Sequence, residues 1–251
     1  MPFKEIKVTT ADGEANAWLF MPDTRPEPLE AGVIVYMDAF GLRPAMSEIG
    51  EILANAGYVT LIPDLFYRNA PYGPFNAKTA FKNEDTANQL RGIMSGTTQA
   101  MTISDTAAFL DVLAGEGVER FGTVGYCMGG ARALNAAAHY PDQILAAASF
   151  HGGNLASDAE DSPHKAASQI KARVYVGSAG VDKSFPPEQS AKLAQALREA
   201  EVDHIIENYV GMQHGWAVSD HDIYDAEGAK RHWTRLLTLF NETLDTNTGS
   251  L

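Results

Sequence analysis

Polar and apolar residues alternate along residues 4–10 and again along 15–21, around the polar stretch ADGEA. Period-two alternation marks half-buried strands, and Asp12-Gly13 is a favourable tight-turn pair, so the N-terminus reads as a β-hairpin. The pattern then changes to a compact apolar run, Gly32 to Met37, of the kind found in strands covered on both faces. Ile49, Ile52, Leu53 and Ala56 follow at helical spacing, with Gly57 as a stop, and YVTLIPDLF reads as a second buried strand. Residues 68–98 break the alternation. They begin rich in Asn, Gly and Pro and continue as a helix, which suggests an excursion over the sheet edge or the site rather than a domain boundary. An amphipathic helix is expected over 99–115. After it come a strand RFGTVGY, an alanine-rich helix over 128–139 and a strand ILAAASF. A loop, the strand ARVYVGS, a helix over 187–200, the strand HIIENYV and a helix over 222–241 complete the series.

Strands that alternate with helices imply right-handed crossovers and a mostly parallel sheet covered on both faces. The expected class is therefore α/β, with the antiparallel hairpin added at the N-terminus. One domain is expected over 1–245, with 246–251 as a tail. In such sheets ligands bind at the carboxyl ends of the strands, so the loops after strands are the places to search.

Composition narrows the function. The 251 residues are 45% hydrophobic and 20% charged, ordinary for a globular chain, with a formal net charge of −13. That charge argues against nucleic acid and anionic membrane as partners, since both require cationic patches. A single cysteine excludes an intrachain disulfide. The N-terminus lacks the apolar core of a signal peptide, and no apolar run approaches a membrane span, so a cytoplasmic location is expected. The seven histidines are scattered without metal-type clustering, so no metal site is expected. Oligomeric state is not legible.

That one cysteine stands in TVGYCMGGARAL, with Gly125 two residues before it and Gly129 two after. A sharp strand-to-helix turn needs small residues at those two positions, because strand and helix pass close together there. Cys127 would then be lifted above the sheet at a helix N-terminus, the geometry of a G-x-S-x-G nucleophile elbow with sulfur in place of oxygen. The helix dipole favours thiolate, and the Met128 amide would point into the same space as an oxyanion donor. The bland alternative is a small buried hydrophobe, which most free cysteines are.

A cysteine nucleophile needs a base, and the base needs an orienting acid. Asp182 follows the strand at 173–178 and His214 follows the strand at 204–210, in the order nucleophile, acid, base. Taken separately, Asp182 also suits a loop aspartate capping a turn, and His214 a solvated loop histidine. His204, His221, His232 and His139 read as surface or packing histidines, and Asp203 lies at the wrong end of its strand. His151, after the strand ending SF, either lines the pocket or is structural. In YMDAFGLRP the Ala39 amide is the candidate second oxyanion donor, with Phe40 a pocket wall. Asp38 either hydrogen-bonds the thiol and holds it protonated or ties down its loop. Trp216 is a further candidate pocket wall.

MDAFGLRP, PDLF, GYCMGG, FHGG, GVDKSFPP and QHGW, in that order, resemble the dienelactone hydrolase family within the α/β-hydrolase fold, over nearly the whole chain. The resemblance implies a Cys127–His214–Asp182 triad, an acyl-enzyme route and no cofactor, acting on a small ester or lactone. It also implies a glutamate at the position of Asp38 and an arginine soon after the histidine. Here the first is one methylene shorter and the second is absent, so Arg43 and Arg91 are the candidates for holding a substrate carboxylate. The alternatives are a thioester, peptide or simple acyl ester as substrate, or a non-catalytic or thiol-sensing member of the fold.

Overall fold

The computed structural model describes residues 3–23 and 30–245. The expected tail, 246–251, lies outside them. Among the described residues eight strands form one sheet in the order β1-β2-β4-β3-β5-β6-β7-β8. The hairpin β1 (Lys4–Thr10) and β2 (Gly13–Phe20) is antiparallel, and β2 runs antiparallel to β4 (Val59–Pro63). From β4 onward every pairing is parallel, through β3 (Ala31–Tyr36), β5 (Arg120–Tyr126), β6 (Ile144–Phe150), β7 (Arg173–Val181) and β8 (His204–Gln213). The hairpin turn differs by one residue from the expected pair. Thr10 faces Gly13, so the two turn residues are Ala11 and Asp12, and Gly13 opens β2 at φ 137°, a value open to glycine alone at no cost.

The apolar runs that suggested two-sided burial are buried. Val33, Ile34 and Val35 in β3 and Ala146, Ala147 and Ala148 in β6 have no exposed surface. Among the described residues six α-helices accompany the sheet: α1 (Pro44–Asn55), α2 (Glu84–Gly96), α3 (Gln99–Gly115), α4 (Met128–His139), α5 (Pro187–Glu199) and α6 (Ala226–Leu244). Three are capped by a side chain at their start, α3 among them through Thr98, which accepts from the Met101 amide. Asn83 accepts from the Thr86 amide at α2, and Asp225 accepts from the Gly228 amide at α6, four residues beyond the expected start. The excursion after β4 holds α2, and Phe81 and Lys82 just before it dock onto Phe40 and Asp222. None of the described helices is long and apolar enough to cross a membrane.

Candidate active site

Cys127 sits between β5 and α4 with φ 55° and ψ −119°. A non-glycine residue in such a conformation costs about 1–3 kcal/mol and persists only where its surroundings impose it. The surroundings here are backbone. A Cβ on Gly125 would lie 1.9 Å from the Gly129 carbonyl oxygen, and one on Gly129 would lie 2.1 Å from the Tyr36 carbonyl oxygen. Strand β5, helix α4 and the end of β3 approach at distances only glycine permits. The turn they force leaves Cys127 half-buried at the carboxyl end of the sheet. Its amide donates to the Phe150 carbonyl at 3.2 Å and to His151 Nδ1 at 3.1 Å.

Asp182 and His214 are the residues immediately after β7 and β8, and the two strands deliver them to one place. His214 Nδ1 lies 2.7 Å from Asp182 Oδ2, which assigns the proton to Nδ1 and leaves Nε2 as the reactive nitrogen. Asp182 also accepts from the Ser184 amide at 2.8 Å and the Ser184 hydroxyl at 2.6 Å. Burial would raise its pKa, but His214 and Ser184 outweigh that and hold it below the usual carboxylate range. Burial likewise opposes charge on His214. The negative charge of Cys127 and the bond to Asp182 override it and raise the imidazole to about 10. Ser184, 3.1 Å from His214 Nδ1, is a residue the sequence reading passed over. Its signal was its place two residues after an aspartate, where such turns form.

Asp38 is wholly buried, and its acceptor sites are occupied. It receives the Phe40 amide at 3.0 Å, both terminal nitrogens of Arg43 at 2.7 and 2.8 Å, and His221 Nε2 at 3.2 Å. Burial raises its pKa, yet His221 and Arg43 drive it well below the ordinary value. Of the two roles open to Asp38, this arrangement matches the tie: it fastens the loop carrying Ala39 to the segment after His214. Arg43 closes the link by gripping Asp220 through Nε and Nη2 at 2.6 and 2.9 Å. Both edges of its guanidinium are engaged, so it is not free to hold a substrate carboxylate, a correction to its candidacy. His221, read as a surface or packing histidine, is the latter: it packs edge-on against Phe40 and joins this cluster. His232 is a packing histidine, fully buried against Phe150 and bonded to Tyr126.

The other expected pocket residues divide. Phe40 is buried beneath Phe81, edge-on at 5.6 Å, and beside His221 at 5.3 Å. His151 and Trp216 form the floor and not an open wall. Both are fully buried, their rings 5.1 Å apart, with His151 5.2 Å from His214. Burial first, then the charge of His214, keeps His151 neutral by lowering its pKa far below the usual value. Arg91 is exposed on α2, where it meets Asn88 and the face of Phe81 and none of the residues around Cys127. Ala39 is buried in the loop after β3, and Met128 opens α4. A cavity of about 790 Å³ lies behind Arg43, among Phe3, Trp18 and Phe75, away from Cys127, while one of about 580 Å³ borders Met128.

Comparison with known proteins gives the chain's family and fold. A family model described as the dienelactone hydrolase family matches residues 16–244. A candidate carboxymethylenebutenolidase of Synechocystis sp. is 28% identical over 233 residues, 87% of this chain and 90% of that protein. One from Yersinia pestis is 27% identical over 241 residues, 95% of this chain and 87% of that protein. Among solved structures, a candidate dienelactone hydrolase from Klebsiella pneumoniae superposes with a TM-score of 0.81 at 24% identity, over 96% of this chain and 98% of its own. The dienelactone hydrolase-like promiscuous phosphotriesterase P91, from metagenomic libraries, gives 0.77 at 24% identity, over 98% and 100%. These two likenesses show a shared fold.

Proposed function

The chain belongs to the dienelactone hydrolase family, and from that premise we propose that it hydrolyses a small carboxylic ester or lactone through a thioester on Cys127. The observation that carries the reading is the pairing of His214 with Asp182 at 2.7 Å beside a cysteine held at φ 55° on a glycine-bounded elbow. With the thiol proton held on His214 Nε2, the Cys127 thiolate attacks the substrate carbonyl carbon. The amides of Met128 and Ala39 receive the oxyanion that forms. Collapse breaks the carbon–oxygen bond, and the imidazolium gives its proton to the departing alkoxide. In a lactone that alkoxide stays attached at the far end of the acyl chain. His214 then deprotonates a water, which attacks the thioester and releases the carboxylic acid and the thiol. Asp182 keeps Nδ1 protonated throughout and balances the imidazolium charge, with Ser184 fixing its carboxylate. Neutral His151 behind Cys127 adds no second positive charge.

The test is a pre-steady-state assay with p-nitrophenyl acetate, followed by intact mass of the acid-quenched protein and peptide mapping. The expected result is a burst of nitrophenolate and an acetyl adduct on Cys127. Turnover that survives Cys127→Ala in a folded protein refutes the mechanism.

A further inference from the structure

The Cys127 amide has two acceptors, the Phe150 carbonyl at 3.2 Å and His151 Nδ1 at 3.1 Å. The second contact fixes the state of the imidazole. A backbone N–H can only donate, so Nδ1 carries its lone pair and the ring proton sits on Nε2. A protonated His151 would turn an N–H toward the Cys127 N–H, so the contact exists for the neutral ring alone. The His151 amide donates to the Gly177 carbonyl of β7 at 2.8 Å, and its ring meets His214 at 5.2 Å and Trp216 at 5.1 Å, both edge to face. One residue thus grips the backbone of the nucleophile, packs on the ring of the base and is tied to the strand that delivers Asp182.

Packing alone does not explain a histidine here. With the proton on Nε2, that N–H is sealed from solvent and has no hydrogen-bond partner among the described residues. A phenyl ring would fill the same space without an orphaned donor. What phenylalanine lacks is the acceptor at Nδ1. The backbone selects in the same direction. His151 stands at φ 39°, a region where histidine and asparagine are enriched among non-glycine residues and bulky side chains are outliers. The titratable groups around the ring are His214, His221, Asp38 and His232. Asp38 is engaged by Arg43 and His221, and His232 by Tyr126, so none of them replaces His151 as the acceptor at Cys127.

We infer that His151 is a positioning residue of the active site: by accepting from the Cys127 amide and packing on the His214 ring, it holds nucleophile and base at the spacing over which the thiolate–imidazolium pair forms. This rests on the hydrolase reading and adds to it a residue that acts through Cys127 and His214 without touching the substrate.

Two replacements separate this role from a structural one. His151→Phe keeps the ring and removes the acceptor. His151→Asn removes the ring and keeps an acceptor, because its Oδ1 is bonded to Cγ as Nδ1 is, and asparagine tolerates the positive φ. The readouts are thermal unfolding, p-nitrophenyl acetate kinetics and an NMR titration of the His214 imidazole, with Cys127→Ala giving the midpoint of His214 without its thiolate. In the wild type that midpoint lies at about 10. His151→Phe should keep Tm within about 3 °C. It should move the His214 midpoint down by about one unit, toward that of Cys127→Ala. Its kcat should fall about 10- to 100-fold, with KM within about twofold. His151→Asn should do the reverse: Tm lower by at least about 5 °C, with the midpoint within about 0.3 unit and kcat within about threefold of the wild type. A phenylalanine variant with the wild-type midpoint and kcat overturns the proposal. So does an asparagine variant as impaired in kcat and midpoint as the phenylalanine one, since ring packing would then be the whole role. Absence of turnover in the wild type, with its His214 midpoint still above that of Cys127→Ala, counts against the hydrolase reading alone; equal midpoints overturn both.

Discussion

Replacing Asp38 with asparagine keeps the shape of the side chain and removes its charge. In the native protein that carboxylate is 0% exposed and faces an Arg43 side chain that is 4% exposed, with two nitrogen–oxygen contacts of 2.7 and 2.8 Å. Solvent screening is therefore negligible, and breaking one side of a buried ion pair costs about 3–5 kcal/mol. The asparagine amide would also point an N–H at Arg43 or His221, both of which donate. For a chain of this size each kcal/mol lowers Tm by roughly 2–4 °C, so the expected drop is about 6–20 °C. Asp220 is the internal control. It grips the same guanidinium, but its side chain is 36% exposed, so Asp220→Asn should cost only about 1 kcal/mol.

The assay pairs thermal unfolding with the rate of Cys127 alkylation by iodoacetamide across pH. If Asp38 is an anchor, Asp38→Asn lowers Tm strongly and leaves the pH profile of alkylation in place. Turnover of p-nitrophenyl acetate should fall in kcat more than in KM, because the loop that presents the Ala39 amide is no longer held through Phe40. The opposite pattern would refute the reasoning: a Tm within about 2 °C of the wild type together with a displaced alkylation profile. That result would make Asp38 a direct partner of the thiol.

Further outcomes follow from single residues. Gly129→Ala should unfold the protein or cost more than about 3 kcal/mol, since its Cβ meets backbone oxygen at 2.1 Å that cannot yield; urea titration checks this. Gly92→Ala, in the exposed interior of α2 with nothing within 4 Å, should instead stabilise by about 0.5–1 kcal/mol. His232 is buried neutral with its pKa lowered to about 3 by desolvation, so between there and about 6.5 the unfolded chain binds a proton that the native state refuses. Stability from this group is present above about pH 6.5 and is lost as pH falls. Urea titrations at about pH 7 and pH 5 should differ by about 2 kcal/mol on its account, and His232→Phe should reduce that difference. Asp182→Asn should keep the fold and lower kcat by about four orders of magnitude, because Nδ1 loses its fixed proton; retention of wild-type kcat would remove Asp182 from the reaction.

What the sequence made legible, and what it did not, divides by distance along the chain. The elbow could be read because its requirement is local: two glycines four residues apart around one cysteine, after an apolar run. Asp182 and His214 could be read because each comes soon after an expected strand, and a parallel sheet carries all such loops to one edge. The hairpin was legible but its turn was not, since Gly13 takes its positive φ inside β2 and the pair Asp12-Gly13 suggested the turn one residue late. The cluster of Asp38, Arg43, Asp220 and His221 was hidden for a different reason. Its members are separated by 177 and 183 residues, and only the packing of the segment after β8 against the loop after β3 joins them. The same separation misassigned Arg43, whose proximity to Asp38 in sequence suggested an open cation, although two carboxylates already neutralise it. Trp216 and His151 follow strands, as pocket residues do, but their side chains turn inward and meet edge to face as the floor. Position after a strand therefore locates a residue near the site, and the contacts its side chain makes decide whether it faces the substrate.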